Sequence, residues 1–387
     1  MKIGICCITY NRLKSLKRLL DSLERADYKN NSPTLLISID KSESNEIEDF
    51  ANKYVWKYGE KKVYTHTVNL GLRKHVLECG SKIKDYDALI MLEDDITVSP
   101  FFYDYAIQTI DKYKANKHIA GISLYNFPIN YQNRLPFNPV RSEYDVYFMN
   151  CAQSWGQIWI KEQWNLFMKW YEQHNDEFNI PSLPQPLNLW PKSSWLKYHT
   201  RYCIEENKYF VYPYESLSTN NNDIGTHNKE KTTNYFQSTL QIFPKSQYKL
   251  PDLEKCDIKY DGFFEPKFLS ECLNINYTDL CVDLYGFKDS YFPKKYLLTR
   301  KKLPYKILKS FALKYKPIEA NILWNIKGNE IFLYDLTKES KMNTTNNNYK
   351  KYYNYIYGNA IENLLIFFGV KDPQKNIIYR ILHRLKL

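Results

Sequence analysis

Three consecutive acidic residues, Glu93, Asp94 and Asp95, directly follow the apolar run Ala88–Leu92. A short apolar run of this kind, bounded by polar residues, predicts a buried strand. Carboxylates so close together repel one another, and a divalent cation that carries its own phosphate ligands relieves that repulsion. The triplet therefore predicts a metal–phosphate site at a strand end. A solvated acidic turn is the alternative interpretation.

Two further groups of polar residues have chemistry that suits a nucleotide. Asp40 follows the apolar run Thr34–Ile39, where its carboxylate could accept hydrogen bonds from a base or ribose, or cap the next turn. Asn69 and Gly71 lie between a strand pattern and a helix pattern, and Arg73 falls in the first turn of that helix. A glycine allows a close turn there, and an arginine near a helix N-terminus can hold phosphate oxygens.

His227 ends a polar loop and is the best-placed imidazole to join acidic residues around a metal. A solvated loop histidine is the alternative. The chain lacks the GxSxG, GxxxxGK[ST] and HExxH motifs, and has no GxGxxG after its first strand. These absences argue against a serine hydrolase, a P-loop NTPase, a zincin and a dinucleotide-dependent dehydrogenase.

The elements that must position these residues alternate between strand and helix patterns over the first 125 residues. Apolar runs predict strands, and leucines at helical spacing predict helices between them. The predicted strands are Lys2–Thr9, Thr34–Ile39, Lys62–Val68, Ala88–Leu92 and Ile119–Leu124. We expect an α/β fold with a mostly parallel sheet flanked by helices. The ligand of such a sheet lies outside the carboxyl ends of its strands, where the residues above are found.

The 387 residues are 44% apolar and 25% charged, which is typical of a globular protein. The net charge of +11 is concentrated: Ser290–Pro317 holds nine Lys and Arg residues, and Pro373–Leu387 holds four, with no acidic residue in either segment. The remaining 41 basic and 43 acidic residues nearly balance, which argues against a nucleic-acid-binding surface. We expect a first domain over residues 1–245 and a basic, α-rich C-terminal region over 246–387.

The closing segment Asn376–Leu387 places its isoleucines and leucines along one helical face. A basic amphipathic helix can lie on an anionic membrane surface, and it can equally pack on its own domain or on a second subunit. No apolar stretch approaches the roughly 20 residues that a membrane span needs, and the N-terminus does not read as a signal peptide. We expect a cytoplasmic chain, either free in the cytosol or peripheral on the inner face of the membrane.

Taken together, these motifs resemble the nucleotide-sugar half of the GT-A-fold glycosyltransferases. Met91–Tyr105 (MLEDDITVSPFFYDY) is similar to the acidic motif of N-acetylglucosaminyltransferase I and its bacterial relatives. Ser154–Gln157, Gln163–Trp164 and Tyr212–His227 are similar to the acceptor side of bacterial surface-polysaccharide transferases. The resemblance covers residues 1–245.

The resemblance implies a metal-dependent glycosyltransferase of bacterial surface polysaccharide biosynthesis. Its donor would be a nucleoside diphosphate sugar, with a UDP-sugar favoured, and its acceptor a hydroxyl of a glycan or lipid-linked glycan. Mn2+ or Mg2+ would bridge the diphosphate, bound by Asp95, and His227 would be a second ligand or a contact to the phosphates. The positions expected to contact the donor are Thr9, Asn11, Arg12, Asp40, Asn69, Gly71, Arg73 and Asp94.

The catalytic base has no clear candidate. Inverting relatives carry an acidic residue near the start of the helix after the acceptor segment, but here the predicted helix begins at Lys192 without one. Asp176, Glu177, Glu205 or Asp223 could serve; with Asp94 and Asp95, Asp223 completes the expected catalytic set. The alternatives are a sugar nucleotidyltransferase and a catalytically inactive glycan- or membrane-binding protein.

Overall fold

The computed structural model describes residues 1–225, 234–288, 290–291, 293–341 and 349–372. The chain forms two compact units: Met1–Phe268 with Lys288–Ser290, and Leu269–Phe287 with Tyr291–Leu387. The first unit extends past residue 245, because the strand Lys259–Tyr260 pairs with a strand of its central sheet.

Eleven strands of the first unit are β1 (Ile3–Thr9), β2 (Thr34–Ile39), β3 (Lys61–Thr65), β4 (Ala88–Glu93), β5 (Ile96–Val98), β6 (Ile119–Ser123), β7 (Val146–Met149), β8 (Gln157–Ile160), β9 (Tyr209–Pro213), β10 (Ser218–Asn220) and β11 (Lys259–Tyr260). Seven of its helices are α1 (Leu13–Glu24), α2 (Glu46–Lys53), α3 (Leu72–Ser81), α4 (Phe102–Tyr113), α5 (Lys161–Tyr171), α6 (Gln185–Leu189) and α7 (Trp195–Glu205).

Nine of these strands form one sheet in the order β11-β7-β9-β6-β8-β4-β1-β2-β3. Five of its eight pairings are parallel, and the pairings β7–β9, β6–β8 and β4–β8 are antiparallel. Helices pack against this sheet, which makes the α/β architecture the one predicted. The separate β5–β10 pair places Asn220 opposite Ile96, one residue beyond the acidic triplet.

The predicted strands form where apolar side chains can be buried on both faces. Every residue of β1 and β2 is buried, as is every residue of β4 except its last. The strand predicted over Lys62–Val68 runs instead over Lys61–Thr65, at the edge of the sheet, where its residues are mostly half-buried. Leu16, Leu19, Leu20 and Leu23 of α1 are buried, as their spacing predicted.

The second unit is built on a four-stranded sheet in the order β12-β13-β15-β14. Its elements are β12 (Leu280–Asp283), β13 (Tyr296–Thr299), β14 (Tyr305–Phe311), β15 (Ile331–Glu339), α8 (Leu269–Cys272), α9 (Glu319–Leu323), α10 (Tyr349–Tyr357) and α11 (Ala360–Phe367). The expectation of an α-rich region missed this sheet. The edge strand β14 contains lysines, and most of its residues are exposed. An exposed edge strand lacks the apolar run by which a buried strand is predicted from sequence.

Among the described helices, none is long and apolar enough to span a membrane. The closing segment Asn376–Leu387 lies outside the described residues, so its predicted helix stays a prediction.

Candidate active site

A cavity of about 700 Å³ opens at the carboxyl ends of β1, β2 and β4. This is the edge at which a parallel sheet places its ligand. Most of the residues singled out from the sequence line this one cavity: Thr9, Asn11, Arg12, Asp40, Asn69, Gly71, Glu93, Asp94, Asp95 and Asp223.

Pairing of β1 with β4 brings the first motif to the acidic triplet. Ile8 lies opposite Glu93 in the parallel register, and the Asp94 amide donates to the Ile8 carbonyl over 3.1 Å. One residue further, Thr9 Oγ1 donates to Asp94 Oδ2 over 2.7 Å in a buried hydrogen bond. The Asp94 side chain is thereby held in one orientation.

Arg12 links the two aspartates of the triplet. One terminal nitrogen of its guanidinium pairs with Asp94, and the other lies 3.3 Å from Asp95 Oδ2. A planar guanidinium suits such a two-carboxylate contact. One positive charge thus faces three acidic side chains, Glu93 included, which leaves the site short of positive charge.

The pKa values of the triplet are raised, in agreement with this shortage of positive charge. Burial, followed by the charges of Asp95 and Asp94, raises the pKa of Glu93 to about 8. Burial also raises the pKa of Asp94 to about 6, although Arg12 opposes the shift. The pKa of Asp95 is raised by burial in the same way. The site therefore disfavours its own ionised carboxylates until more positive charge is supplied.

Asp95 has a carboxylate oxygen that a cation could use as a ligand. Its Oδ1 atom is buried and accepts no hydrogen bond from any residue that the structure describes. A carboxylate oxygen of this kind fits Mn2+ or Mg2+. Within the described ranges, however, no group of three His, Cys, Asp or Glu side chains is arranged as a ligand set. His227, the predicted second ligand, lies outside the described residues.

The Asp40 carboxylate holds the turn that forms the neighbouring wall of the cavity. Its Oδ1 accepts from the Leu70 amide at 2.8 Å and its Oδ2 from the Gly71 amide at 3.0 Å. Gly71 has φ 75° and ψ 158°, a conformation essentially restricted to glycine. Asn69 Nδ2 donates to the Lys41 carbonyl over 2.9 Å. Asp40 therefore positions the turn as well as lining the cavity.

The structure places Arg73 elsewhere. Its position near a helix N-terminus predicts a phosphate ligand, but its guanidinium donates to Tyr171 Oη at 2.6 Å, to Tyr198 Oη at 3.1 Å and to the Asn175 carbonyl at 2.6 Å. It also lies 4.0 Å from the Tyr198 ring centroid. The donors of Arg73 tie α3 to α5 and α7, and the side chain does not line the cavity.

Of the four candidate bases, all of which the structure describes, Asp223 lines the cavity and the other three do not. Those three are Asp176, Glu177 and Glu205. Its carboxylate pairs with Arg18 and accepts from Ser15 Oγ over 2.7 Å. Burial alone would raise its pKa, but these hydrogen bonds and the arginine charge hold the pKa below its ordinary value. A carboxylate stabilised in this way is a weak proton acceptor, so the base stays unassigned.

Sequence reasoning missed a second wall of the same cavity. Arg134 and Phe236 line it together with Trp155, which the acceptor-side resemblance had included. Nothing in the local sequence marks Arg134 or Phe236, because each lies in an irregular segment. Ser193, one residue before the N-cap of α7, also lines the cavity.

Neither a protein-family model nor a curated protein matches the chain. Solved structures do match. TarS of S. aureus in complex with UDP-GlcNAc is 14% identical with a TM-score of 0.38, over 59% of this chain and 60% of that chain. GalNAc-T7 with UDP, GalNAc and Mn2+ is 12% identical with a TM-score of 0.38, over 56% and 43%. A mannosyltransferase from Pyrobaculum calidifontis with GDP-Man and Mn2+ is 11% identical with a TM-score of 0.35, over 55% and 54%.

The chain thus spans less than two thirds of each of these proteins. The likeness concerns part of the fold and carries no argument about activity at these TM-scores. The function proposed below rests on the geometry of the chain's own site.

Proposed function

We propose that the chain is a metal-dependent glycosyltransferase that moves a sugar from a nucleoside diphosphate donor to a hydroxyl of a glycan acceptor. The observation that carries the proposal is Asp95 Oδ1, buried without a hydrogen-bond partner among the described residues, in a cavity at the carboxyl ends of parallel strands. A UDP-sugar is the favoured donor.

The charge of the acidic triplet supports a donor that arrives with a cation. The pKa values of Glu93 and Asp94 are raised because burial and the neighbouring acidic charges outweigh the positive charge of Arg12. A diphosphate alone would add further negative charge, whereas a diphosphate with a divalent cation is close to neutral. Asp95 would hold Mn2+ or Mg2+, which, when bound, stabilises the charge that develops on the leaving diphosphate.

Other side chains keep the donor end of the cavity in shape. Thr9 holds Asp94 through its hydroxyl, and Arg12 keeps the carboxylates of Asp94 and Asp95 side by side. The turn that Asp40 positions forms the wall next to which we place the nucleobase. These groups are set before any ligand binds, which lowers the cost of ordering them during the reaction.

The second unit supports an acceptor carried at a membrane, as in bacterial surface polysaccharide assembly. Phe367 is 82% exposed and Phe368 is 73% exposed at the end of α11, and the segment Ser290–Pro317 carries nine basic residues without an acid. Exposed aromatic side chains with basic residues suit an anionic lipid surface. We expect the full chain to sediment with vesicles containing phosphatidylglycerol and not with pure phosphatidylcholine vesicles.

The decisive experiment is a thermal-shift panel of UDP, GDP, CDP, dTDP and ATP, each with and without Mn2+. Binding to the folded state alone stabilises it by about 2.7 kcal/mol at a hundredfold excess over Kd. We expect one nucleoside diphosphate to raise the melting temperature only when the metal is present. Asp95→Asn should abolish that shift, whereas Asp111→Asn, at an exposed position on α4, should retain it.

Two outcomes count against the proposal. If no nucleotide raises the melting temperature of the wild-type protein, with or without Mn2+, the proposed donor site is wrong. A glycan-binding protein is then the better description. If a nucleoside triphosphate binds and releases pyrophosphate on incubation with a sugar phosphate, the chain is a nucleotidyltransferase.

A further inference from the structure

The cavity has a second wall, whose residues are not among those proposed to contact the donor. Arg134, Trp155 and Phe236 form this wall, and the acidic triplet lines the same cavity. The rings of Trp155 and Phe236 are 4.8 Å apart between centroids, and Arg134 Cζ lies 5.9 Å from the Phe236 ring centroid. Two aromatic rings and a guanidinium therefore meet at one place on the cavity surface.

Local hydrogen bonds hold this wall in place. Trp155 donates its amide to Gln153 Oε1 over 3.0 Å, and Ser218 Oγ donates to the Trp155 carbonyl over 2.6 Å. The hydroxyl of Tyr125 donates to the Phe236 carbonyl over 2.8 Å. The wall is therefore shaped before a ligand arrives.

Arg134 is held by a tight turn. Its amide donates to the Asn130 carbonyl over 2.8 Å, and the Leu135 amide donates to Asn133 Oδ1 over 2.9 Å. The φ of Arg134 is 59°, in the left-handed region that a bulky residue adopts only when its surroundings require it. The turn thus fixes the backbone from which the Arg134 side chain extends.

Among the described residues, no acidic side chain pairs with the charge of Arg134. The other arginine of the cavity, Arg12, is already paired with Asp94 and Asp95. In contrast, the guanidinium of Arg134 lies 5.9 Å from the ring centroids of Tyr235 and Phe236. A guanidinium with its donors open is a ready partner for an oxyanion.

We propose that Arg134, Trp155 and Phe236 form an acceptor subsite for an acidic glycan, whose sugar ring packs on the two aromatic faces while its phosphate or carboxylate pairs with Arg134. The inference rests on the proposed function, because it takes the acidic triplet as the donor end of the cavity. It goes beyond that function by giving the acceptor a charge. Phosphate-bearing and uronate-bearing glycans share the required oxyanion.

The test is binding of the full chain to an array of bacterial glycans sorted into phosphate-bearing, uronate-bearing and neutral groups. We expect one acidic group to bind, and the group that binds identifies the source of the oxyanion. Arg134→Gln should weaken that binding about tenfold, the effect of losing one charge-assisted hydrogen bond from an exposed side chain that lines the cavity. Arg134→Lys should restore part of it. Arg25→Gln, which removes the same charge from an exposed position at the end of α1, should have no effect.

Several results would overturn the subsite. They are preferred binding of neutral glycans, no binding of any acidic glycan, and unchanged binding by Arg134→Gln. The nucleotide thermal shift separates this inference from the proposed function. Arg134→Gln should keep the metal-dependent shift of the wild type, and its loss in a folded variant would place Arg134 at the donor instead. If the wild type shows no shift, the donor proposal fails while the array still reports on the subsite.

Discussion

Thr9 and Asp94, 85 positions apart in the chain, share a buried hydrogen bond of 2.7 Å between the ends of two neighbouring parallel strands. The contact joins the first motif of the sequence to the acidic triplet. Because Asp94 also pairs with Arg12, one carboxylate contacts two side chains of that first motif.

Thr9→Val should destabilise the first unit, because valine keeps the shape of threonine but leaves Asp94 Oδ2 without its donor. The expected loss is about 1–3 kcal/mol, the cost of a buried polar group that loses its partner. Differential scanning calorimetry measures it as a lower melting temperature. Thr9→Ser keeps the hydroxyl and should lose less; equal losses in the two variants would show that the methyl group, not the hydrogen bond, matters at this position.

The acidic triplet should make the metal-free protein less stable as the pH rises. The pKa of Glu93 is raised from 4.5 to about 8 and that of Asp94 from 3.8 to about 6. A carboxyl group with a raised folded-state pKa stabilises fully below its unfolded pKa, and that stabilisation is lost as the pH rises through the folded value. Stability should therefore fall by up to about 1.4 kcal/mol per pH unit for each group, between about pH 4 and pH 6 for Asp94 and between about pH 4.5 and pH 8 for Glu93.

Glu93→Gln should remove the Glu93 share of this pH dependence and raise the melting temperature at pH 8. Glu162→Gln, at an exposed position of α5, is the matched control and should leave the pH profile unchanged. Mn2+ should also bind more tightly at pH 8 than at pH 6, because binding must displace the protons on these carboxyls. Melting curves that run parallel for Glu93→Gln and wild type from pH 4 to pH 8 would contradict the prediction.

Gly71→Ala should weaken nucleotide binding by distorting the turn beside Asp40. A Cβ at this position meets no atom within 4 Å, so strain at φ 75° is the expected cause. Its cost is about 1–3 kcal/mol. Gly358→Ala also places an alanine at positive φ, 74°, but in the second unit, and it should leave the nucleotide thermal shift intact. A full thermal shift in Gly71→Ala would show that the turn does not shape the donor end.

His199 should make the first unit sensitive to acid. The imidazole is fully buried among aromatic rings, 4.2 Å from the Phe167 centroid, and neither ring nitrogen has a hydrogen-bond partner among the described residues. Burial lowers its pKa from 6.5 to about 3. A base with a lowered folded-state pKa takes up its proton preferentially on unfolding, so stability should fall as the pH drops from about 6.5 toward 3.

His199→Phe should remove this loss on acidification and, at pH 7.5, should stabilise by about 1–2 kcal/mol, because two buried polar atoms disappear. The measurement is the melting temperature between pH 4 and pH 7.5. His174→Phe makes the same replacement at a half-buried position stacked on Trp170 and serves as the control. A variant that keeps the acid sensitivity of the wild type would assign that sensitivity to other groups.

The amino-acid sequence by itself determined the strands of the first unit and the edge at which the site lies. Runs such as Thr34–Ile39 and Ala88–Leu92 are apolar over a whole strand, and only burial on both faces stabilises such a run. The polar residue that follows each run must then lie at the carboxyl edge of the sheet. Asp40 and the acidic triplet could be placed together for that reason alone.

Only the tertiary structure decided which partner each charged side chain takes. Arg73 was expected to meet phosphates and instead donates to two tyrosines, while Asp223 is occupied by Arg18. Arg134 joined the cavity through a turn without any periodic pattern. Burial patterns repeat along the chain and can be read from it, whereas hydrogen bonds and ion pairs join residues up to 208 positions apart and depend on how the elements pack.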